Sequence, residues 1–580
     1  MGGIQTYGKR ADNKQCQAEF KYSEKKVTHG ERGLRTRSVW TWMQNDDCFM
    51  LSHLNLCKPA MSALDQHQHL VRALLAQFQT QDPSARLIET HISSVILAGE
   101  HAYKIKKPVN FGFLDFSDRA QRRHFCHEEI RLNQALSDGL YLHVADIFGS
   151  ADAPRFDAEG QPIESAIVMR RFADGARLDE VLAHEGLALE QMDELATRLA
   201  DFHAQAPRVE PSSTLGEPAT VYYPMAQNFE QIRPLLASDD TASHAQLERL
   251  RLWTEARYAS LQTLLAARKN DGFVRELHGD MHLGNMARVD NKIIIFDAIE
   301  FNASFRWIDV MSELAFVLMD LQDRGLPAHA NRLLNRYLEL SGDYAGLELL
   351  RVYQTYRAMV RAKVALLGIA FGGTDEQIAA ARANYARYTN LAEHFTQTTP
   401  PQLIITHGFS GSGKSHAALI LAESLGLIRI RADIERQRLF PQRGEDGLNA
   451  GRYSPQATTK TYQRLFDLAQ ELLQSGWCVI LDATFLKAAS RANARELTVR
   501  LGVPFHIIDM HCPDELLRQR LLTRVKAGGD PSEATLDVLS AQQSGAEPLT
   551  DEEKPKALPL RCDAAMEGQV AALMELFAPA

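Results

Sequence analysis

The 580-residue sequence has no excess of positive charge: 64 Lys and Arg stand against 73 Asp and Glu, a formal net charge of −9 at pH 7. A protein built mainly to grip nucleic acid needs a basic face that neutralises backbone phosphates. Even residues 401–580 balance to −2, so nucleic acid is not expected as a partner. Cysteine is scarce, with seven residues at positions 16, 48, 57, 126, 478, 512 and 562. They show no CxxC pair and no metal-ligand spacing, which argues against a zinc site or a disulfide framework and leads to the expectation of reduced thiols in a cytoplasmic chain. The 20 histidines include His67 and His69, but none has an E-x-x-H or cysteine partner, and these two read as solvated. Long apolar runs are missing as well. Segments such as 478–481 and 403–406 are strand-length, far short of the ~20 residues that span a bilayer, so no membrane partner is expected. The polar start of the chain contains no apolar core of a signal peptide.

What is present is an ordinary globular composition, 45% hydrophobic and 24% charged. At this length one hydrophobic core is not enough, and several structural units are expected. Residues 1–60 mix Lys, Arg, Gln, Asn and Gly without periodicity and read as a poorly ordered extension. Met61 followed by Ser62 and the apolar series Leu64, Leu70, Val71, Leu74 and Leu75 predicts a capped helix, and Met61 is a candidate true start. From 86 to 150, short strand-like runs (94–98 and 101–105) precede a helical stretch over 119–136 and a further apolar run at 142–148. Residues 165–400 are mostly helical in pattern, interrupted by 273–301. A Pro-containing segment, 396–402, reads as a linker, dividing a domain over 61–395 from another over 403–580. Beyond it, apolar strand-length runs alternate with helices up to residue 526, the pattern of a doubly wound parallel sheet.

Two separate phosphate-handling signatures sit on these two parts. In the first, Asp280 follows His278 by two residues and Asn285 follows Asp280 by five, the H-x-D-x-x-x-x-N spacing of a kinase catalytic loop. Phosphoryl transfer needs alignment, charge neutralisation and a group to accept the hydroxyl proton. Asp280 is the candidate base, while Asn285 and Asp297, the latter ending the run Ile293-Ile294-Ile295-Phe296, are candidate magnesium ligands. Upstream, His101-Ala102-Tyr103-Lys104 is similar to V-A-I-K, placing Lys104 at the α- and β-phosphates, with Lys106 on the same strand face as a competitor. Phe125, Glu129, Leu132 and Leu136 share one helix face, which makes Glu129 rather than Glu128 the expected partner acid.

The second signature, Gly408-Phe409-Ser410-Gly411-Ser412-Gly413-Lys414-Ser415, is a complete P-loop between a predicted strand and a predicted helix. Gly408, Ser410, Gly411, Ser412 and Gly413 supply backbone amides to phosphate, Lys414 reaches the β- and γ-phosphates, and Ser415 is a magnesium ligand. Asp482 ends the apolar run Val479-Ile480-Leu481 and completes the metal set. The next residue is Ala483, where water-activating ATPases carry Glu, so the motif reads as a kinase and not a motor.

On these residues, 86–395 resembles the aminoglycoside phosphotransferase and choline-kinase branch of the kinase superfamily. His278-Gly279-Asp280 replaces His-Arg-Asp, and Ala298-Ile299-Glu300 follows Phe296-Asp297. In that resemblance Asp309 braces the catalytic loop. No G-x-G-x-x-G precedes Lys104, so the Ser93-Ser94 turn is expected to cover the phosphates. Arg431-Ala432-Asp433-Ile434-Glu435-Arg436 resembles the acid-x-x-Arg element of small P-loop kinases such as gluconate kinase, polynucleotide kinase and zeta toxin. The resemblance implies Asp433 as base and Arg436 on the acceptor or the transferred group, with Thr484 and Arg491 nearby. It also implies a lid bearing Arg520 and Arg524, or equally a solvated helix face, followed by a turn at 528–532. Trp307, Tyr353, Tyr356 and Arg357 are candidate walls of an acceptor pocket or part of the core.

Over residues 61–580 the chain resembles a bacterial family described as bifunctional aminoglycoside phosphotransferase and P-loop ATP-binding proteins. This resemblance implies a multidomain α/β and α+β fold: a two-lobed protein-kinase-like domain, then a P-loop NTPase domain. It further implies ATP and Mg2+ in both halves and small-molecule hydroxyl acceptors. Two alternatives stay open: one half is a nucleotide-binding regulator of the other, or the P-loop half phosphorylates nucleotides or nucleic-acid ends.

Overall fold

The computed structural model describes residues 62–112, 114–369, 372–441, 451–527 and 534–577. The expected N-terminal extension, the start at Met61 and the turn at 528–532 lie outside these residues. Helix α1 (Ala63–Gln81) begins where the sequence placed a cap: Ser62 Oγ accepts from Asp65 N at 3.1 Å, and Asp65 answers with a bond back to Ser62 N.

Strands β1 (Arg86–Glu89), β2 (Ser93–Ala98) and β3 (His101–Lys106) follow, then helix α2 (Arg119–Asn133) and strands β4 (Tyr141–Gly149), β5 (Pro154–Arg155) and β6 (Glu164–Arg170). They form one antiparallel sheet in the order β1-β2-β3-β6-β4-β5, with α2 against β4 and β6. The sheet includes β6, at the start of the stretch whose pattern read as helical. Its burial is nearly continuous, so alternation gave no signal.

The helical lobe contains α3 (Leu178–His184), α4 (Gln191–Gln205), α5 (Pro218–Ile232) and α6 (Thr241–Asn270). Three short strands follow, β7 (Val274–Glu276), β8 (Met286–Val289) and β9 (Lys292–Ile295). The lobe closes with α7 (Ala303–Arg306), β10 (Trp307–Asp309), α8 (Val310–Asp323), α9 (Pro327–Ser341), α10 (Leu347–Leu367) and α11 (Asp375–Thr396). The hairpin β8–β9 carries the 278–297 segment back to the small lobe, since Ile294 and Ala287 share a cluster with Ala102, Cys126 and Ile167.

The C-terminal half consists of β11 (Leu403–His407), α12 (Lys414–Leu425), β12 (Ile428–Arg431), α13 (Ala432–Leu439), α14 (Pro455–Gln474), β13 (Val479–Asp482) and α15 (Ala488–Leu501). It ends with β14 (Phe505–His511), α16 (Asp514–Ala527), α17 (Leu536–Gly545), β15 (Ala557–Arg561) and α18 (Met566–Phe577). The five strands are all parallel, in the order β12-β13-β11-β14-β15, with helices supplying the crossovers. The fold is thus mixed α/β, a two-lobed kinase-like half followed by a P-loop half with a doubly wound parallel sheet.

The two halves share one hydrophobic core, in which Leu333, Tyr337 and Leu350 belong with Ile405, Ile428 and Leu472. Edge strand β12 would expose unpaired backbone groups. Asn335 on α9 covers it, donating to Leu427 O (2.9 Å) and accepting from Arg429 N (2.7 Å). Beside it the buried Glu339 accepts from Arg429 Nη2 at 2.6 Å and lies 3.5 Å from Arg431. Arg351 stacks on Trp477 at 4.6 Å and donates to Gly476 O, and Arg438 of α13 reaches back to Glu339 O at 2.7 Å. The segment between α11 and β11 is itself pinned, with Val479 N donating to Gln402 O.

Two expectations about isolated residues change. Cys512 and Cys562, at the ends of neighbouring strands β14 and β15, are joined by a disulfide with their Cα atoms 5.2 Å apart. Strand adjacency, and not their separation of 50 residues in sequence, brings them together, so the reduced-thiol reading fails for this pair. His67 is buried, with Nε2 2.9 Å from Ser94 Oγ, whereas its neighbour His69 stays exposed. Among the described residues no helix is long and apolar enough to cross a membrane.

Candidate active sites

In the kinase-like half, the strand that carries Lys104 faces α2. Lys104 Nζ donates to Glu129 Oε1 at 2.7 Å and also meets Asp297. The competitor Lys106 is in the same network: its Nζ donates to Glu129 Oε2 at 2.6 Å and pairs with Glu300. Glu129, fully buried, therefore spans both lysines. Burial opposes its ionisation, but Lys104 and Lys106 hold its carboxyl well below the ordinary range. Tyr141 OH donates to Glu129 Oε1 and accepts from Asp297 N, so one tyrosine fixes both acids. Asp297 adopts a left-handed backbone, φ 66°, of the strained kind that gathers at functional sites. Sequence spacing missed Glu300 and Tyr141, whose positions depend on the small lobe closing over residue 297.

The catalytic-loop residues meet as predicted by their spacing. Asn285 Nδ2 donates to Asp280 O (2.9 Å) and Asp280 Oδ2 (3.1 Å), and Phe296 N donates to Asn285 O, which sets Asn285 beside Asp297. His278 Nε2 lies 2.7 Å from Phe296 O, and its Nδ1 accepts from Asp280 N. Burial works to raise Asp280, yet His282, 3.6 Å away, with Arg361 and His278 holds it well below the usual carboxylate range. Gly279 cannot be exchanged: its φ is 84°, and a Cβ there would lie 2.5 Å from Phe305 O.

The loop's braces are not the expected ones. Asp309 caps α8 and pairs with the buried Arg268 at 2.7 Å, which also binds Asp343. Contact with the loop comes instead from Glu313 (to Gly279 N, 2.9 Å), Asp320 (to Leu283 N, 2.9 Å) and Arg357 (to Gly279 O, 2.9 Å). Arg357 and Tyr353 are thus buried supports and do not wall a pocket. The turn between β1 and β2 is made by residues 90–92, closed by Thr90 Oγ1 accepting from Ser93 N, while Ser93 and Ser94 are buried at the start of β2. The Ser93-Ser94 pair is therefore the start of the strand and not the turn itself.

In the P-loop half, Gly408, Gly411 and Gly413 all have positive φ (139°, 85° and 91°), the conformations that turn successive amides inward. Ser415 Oγ lies 3.1 Å from Asp482 Oδ1, bringing the two candidate metal ligands together from α12 and β13. Lys414 Nζ donates to Phe409 O at 2.6 Å; burial draws it down to about 8, against the pull of Asp482 and Asp433. The buried Ser412 Oγ and Asp482 Oδ2 have no hydrogen-bond partner among the described residues, and Asp482 Oδ2 has an ion-pair contact with Arg431 at 3.7 Å. Polar groups left without hydrogen bonds in this way suit a magnesium-bound triphosphate, which would be held by the loop amides, Lys414, Ser415 and Asp482.

Arg436 pairs with Asp433 at 2.7 Å on α13, and Asp433 is near enough to Lys414 and Tyr462 to act on both electrostatically. Phe485 nearby has φ 45°, a genuine strain for a bulky residue, held by Tyr462 OH accepting from its amide. Arg491 is not in the cleft: fully buried, it binds Glu553 and the carbonyls of Phe485, Glu547 and Pro548. Of the two arginines on α16 expected to form a lid, Arg524 is within electrostatic reach of Lys414, whereas Arg520 is committed to Cys562 O (2.8 Å) and Gly411 O (3.4 Å). Sequence reading also missed Gln542, whose amide takes the Ser410 N–H at 2.9 Å and donates to Ser410 Oγ.

Fold and sites together define a protein that joins a two-lobed kinase-like half to a half built around a P-loop. A sequence profile described as "AAA domain" matches residues 403–549. The Mycobacterium tuberculosis H37Rv protein named "Uncharacterized protein Rv2004c" is 32% identical over 471 residues, covering 80% of this chain and 90% of that one, and the chain belongs to its family. Among solved structures, a choline/ethanolamine kinase family protein from Mesorhizobium loti covers 56% of this chain and 95% of its own at 12% identity, TM-score 0.35. A sugar kinase from Janibacter sp. covers 31% and 95% at 20% identity, TM-score 0.24.

Proposed function

We propose that the chain is a two-site phosphotransferase in which each half moves the γ-phosphoryl group of ATP to the hydroxyl of a small molecule. The observation that supports this most is the separate completion of two acid–base–phosphate sets. One is Lys104, Glu129, Asp280, Asn285 and Asp297; the other is Lys414, Ser415, Asp433, Arg436 and Asp482. Magnesium, when bound, neutralises phosphate charge; Asn285 and Asp297 would hold it in one half, Ser415 and Asp482 in the other. In the kinase-like half Asp280 receives the acceptor hydroxyl's proton as its oxygen bonds to phosphorus and the bond to the ADP oxygen breaks. Lys104, fixed by Glu129, steadies the α- and β-phosphates. In the P-loop half Asp433 takes the same proton, and Arg436 and Arg524 meet the charge on the phosphoryl group. A cytoplasmic setting follows from the supply of ATP; the cysteines no longer argue for it, given the disulfide.

The test is equilibrium binding of a non-hydrolysable ATP analogue together with product analysis of Asp280→Ala and Lys414→Ala. Two equivalents bound, and different products lost in the two variants, are expected; one equivalent, abolished by either substitution, refutes the division. The regulatory alternative has one point in its favour: Arg431, 3.7 Å from Asp482, also approaches Glu339 of the other half. Loss of P-loop transfer in Asp433→Asn with nucleotide still bound decides against it.

A further inference from the structure

A cleft of about 310 Å³ opens between the C-terminal end of α8, α10 and α11, lined among others by Asp323, Arg324, Arg361, Asn384, Arg387 and Tyr388. Two of the three guanidinium groups are hydrogen-bonded through Nε, Arg324 to Asp320 Oδ2 at 3.1 Å and Arg361 to Tyr388 OH at 3.5 Å, and the third, Arg387, is ion-paired through Nε with Asp323 Oδ1 at 3.0 Å. Among the described residues their Nη groups make no hydrogen bond, so the bidentate ends of three arginines are left to the cleft they line. The guanidiniums of Arg361 and Arg387 also lie 5.8 and 4.8 Å from the Tyr388 ring centre, which limits their freedom. Asp320 and Asp323 offset two of the three positive charges, but both acids are occupied, Asp323 by Arg387 and Asp320 by Arg324 and the catalytic-loop amide of Leu283.

The cleft adjoins the proposed transfer site. Asp320 binds the catalytic loop and Arg324 with the same oxygen, and Arg361 is within electrostatic reach of Asp280 itself. Pre-anchored planar forks with unused donor ends match carboxylate or phosphate oxygens, and they repel ammonium groups. We propose that the acceptor of the kinase-like half is an anionic alcohol, whose phosphate or carboxylate is held by Arg324, Arg361 and Arg387 while its hydroxyl is presented to Asp280. This deepens the reading of Asp280 as the base of a transfer reaction and rests on it. It separates this chain from kinases whose acceptors are polycations or quaternary amines.

The experiment uses the full chain carrying Lys414→Ala, saturated with a non-hydrolysable ATP analogue and magnesium. Inorganic phosphate and 3-phosphoglycerate, then choline and kanamycin, are titrated by ³¹P and ¹H NMR line broadening. Saturable binding of the two anions, weakened tenfold or more in Arg361→Gln and in the half-exposed Arg387→Gln, is expected, with no saturable binding of the two cations. Thermal unfolding of each variant shows that it is folded. Absence of anion binding, binding indifferent to both substitutions, or preferential binding of choline or kanamycin overturns the proposal. If the analogue fails to bind the kinase-like half, the transferase reading falls by itself, and the phosphate titration without nucleotide still decides the cleft.

Discussion

Replacing Glu339 by Gln would test the proposition that the two halves form one machine. Glu339, 1% exposed at its side chain, is the shared anion for Arg429 and Arg431 of the P-loop half and Arg336 of its own helix. Glutamine keeps the volume and removes the charge, and removing one partner of a buried pair costs about 3–5 kcal/mol because the other charge is left buried. The two arginines respond differently. Arg429 retains Ser415 O at 3.0 Å, whereas Arg431 also approaches Asp482 at 3.7 Å, the proposed metal ligand. The expected result is therefore twofold: an earlier loss of docking in urea, and nucleotide affinity at the P-loop lowered about tenfold, equivalent to about 1.4 kcal/mol. Docking is read from Trp477, which stacks under Arg351 across the interface, using Trp477→Phe to subtract the other tryptophans. The added substitution Arg429→Met should recover part of the loss, since replacing both members of a buried pair is far less costly than orphaning one. An unchanged unfolding midpoint together with a nucleotide Kd within twofold of the parent would refute the coupling.

Three further outcomes are expected. Asp433→Asn should leave nucleotide binding at the P-loop intact and abolish transfer by that half, measured as labelled product in an Asp280→Ala background. Arg357→Lys should lower kcat of the kinase-like half roughly tenfold to a hundredfold with little change in the KM for ATP. Lysine lacks the fork that holds Gly279 O and Ser312 at once, and rescue by no other cation would be consistent with a positioning role. His67 is drawn down to about 4 chiefly by burial, from 6.5 when unfolded. A depressed folded value means that its stabilising contribution is complete above pH 6.5 and is lost as pH falls toward 4. The expected loss is about 3 kcal/mol, read as a difference in urea stability between parent and His67→Gln across that window. Parallel pH profiles would disprove it.

Much of the site was legible because its chemistry is written in short spacings. Asp280, Asn285 and Asp297 lie within 18 residues, and the P-loop within eight, so local geometry alone brings their groups together. Glu129 could be chosen over Glu128 because helical periodicity distinguishes a fully buried face from its neighbour. The failures share a different cause. Asp309 and Arg491 were assigned roles from resemblance and sequence neighbourhood, yet each is claimed by a partner far along the chain, Arg268 and Glu553 respectively. A charged residue fully removed from water must find such a partner, and the sequence shows the charge without showing the burial. The same holds for the disulfide, whose two cysteines are adjacent only because β14 and β15 are.

The joint between the halves makes this point most strongly. In sequence, 396–402 reads as a boundary, since Pro400-Pro401 ends a helix and a strand follows. In space the boundary is a covered sheet edge. Strand β12 has β13 on one side, and on the other side α9 offers Asn335, whose amide imitates one rung of a ladder with both a donor and an acceptor. Arg438 on α13, two residues beyond Arg436, is tied to the end of α9 through Glu339 O. The element carrying Asp433 and Arg436 is thus held from outside its own half. A P-loop half cut free at residue 402 would present β12 as an open edge and leave Arg429 and Arg431 without Glu339, so the kinase-like half acts as the missing wall of the second site as well as the frame of the first.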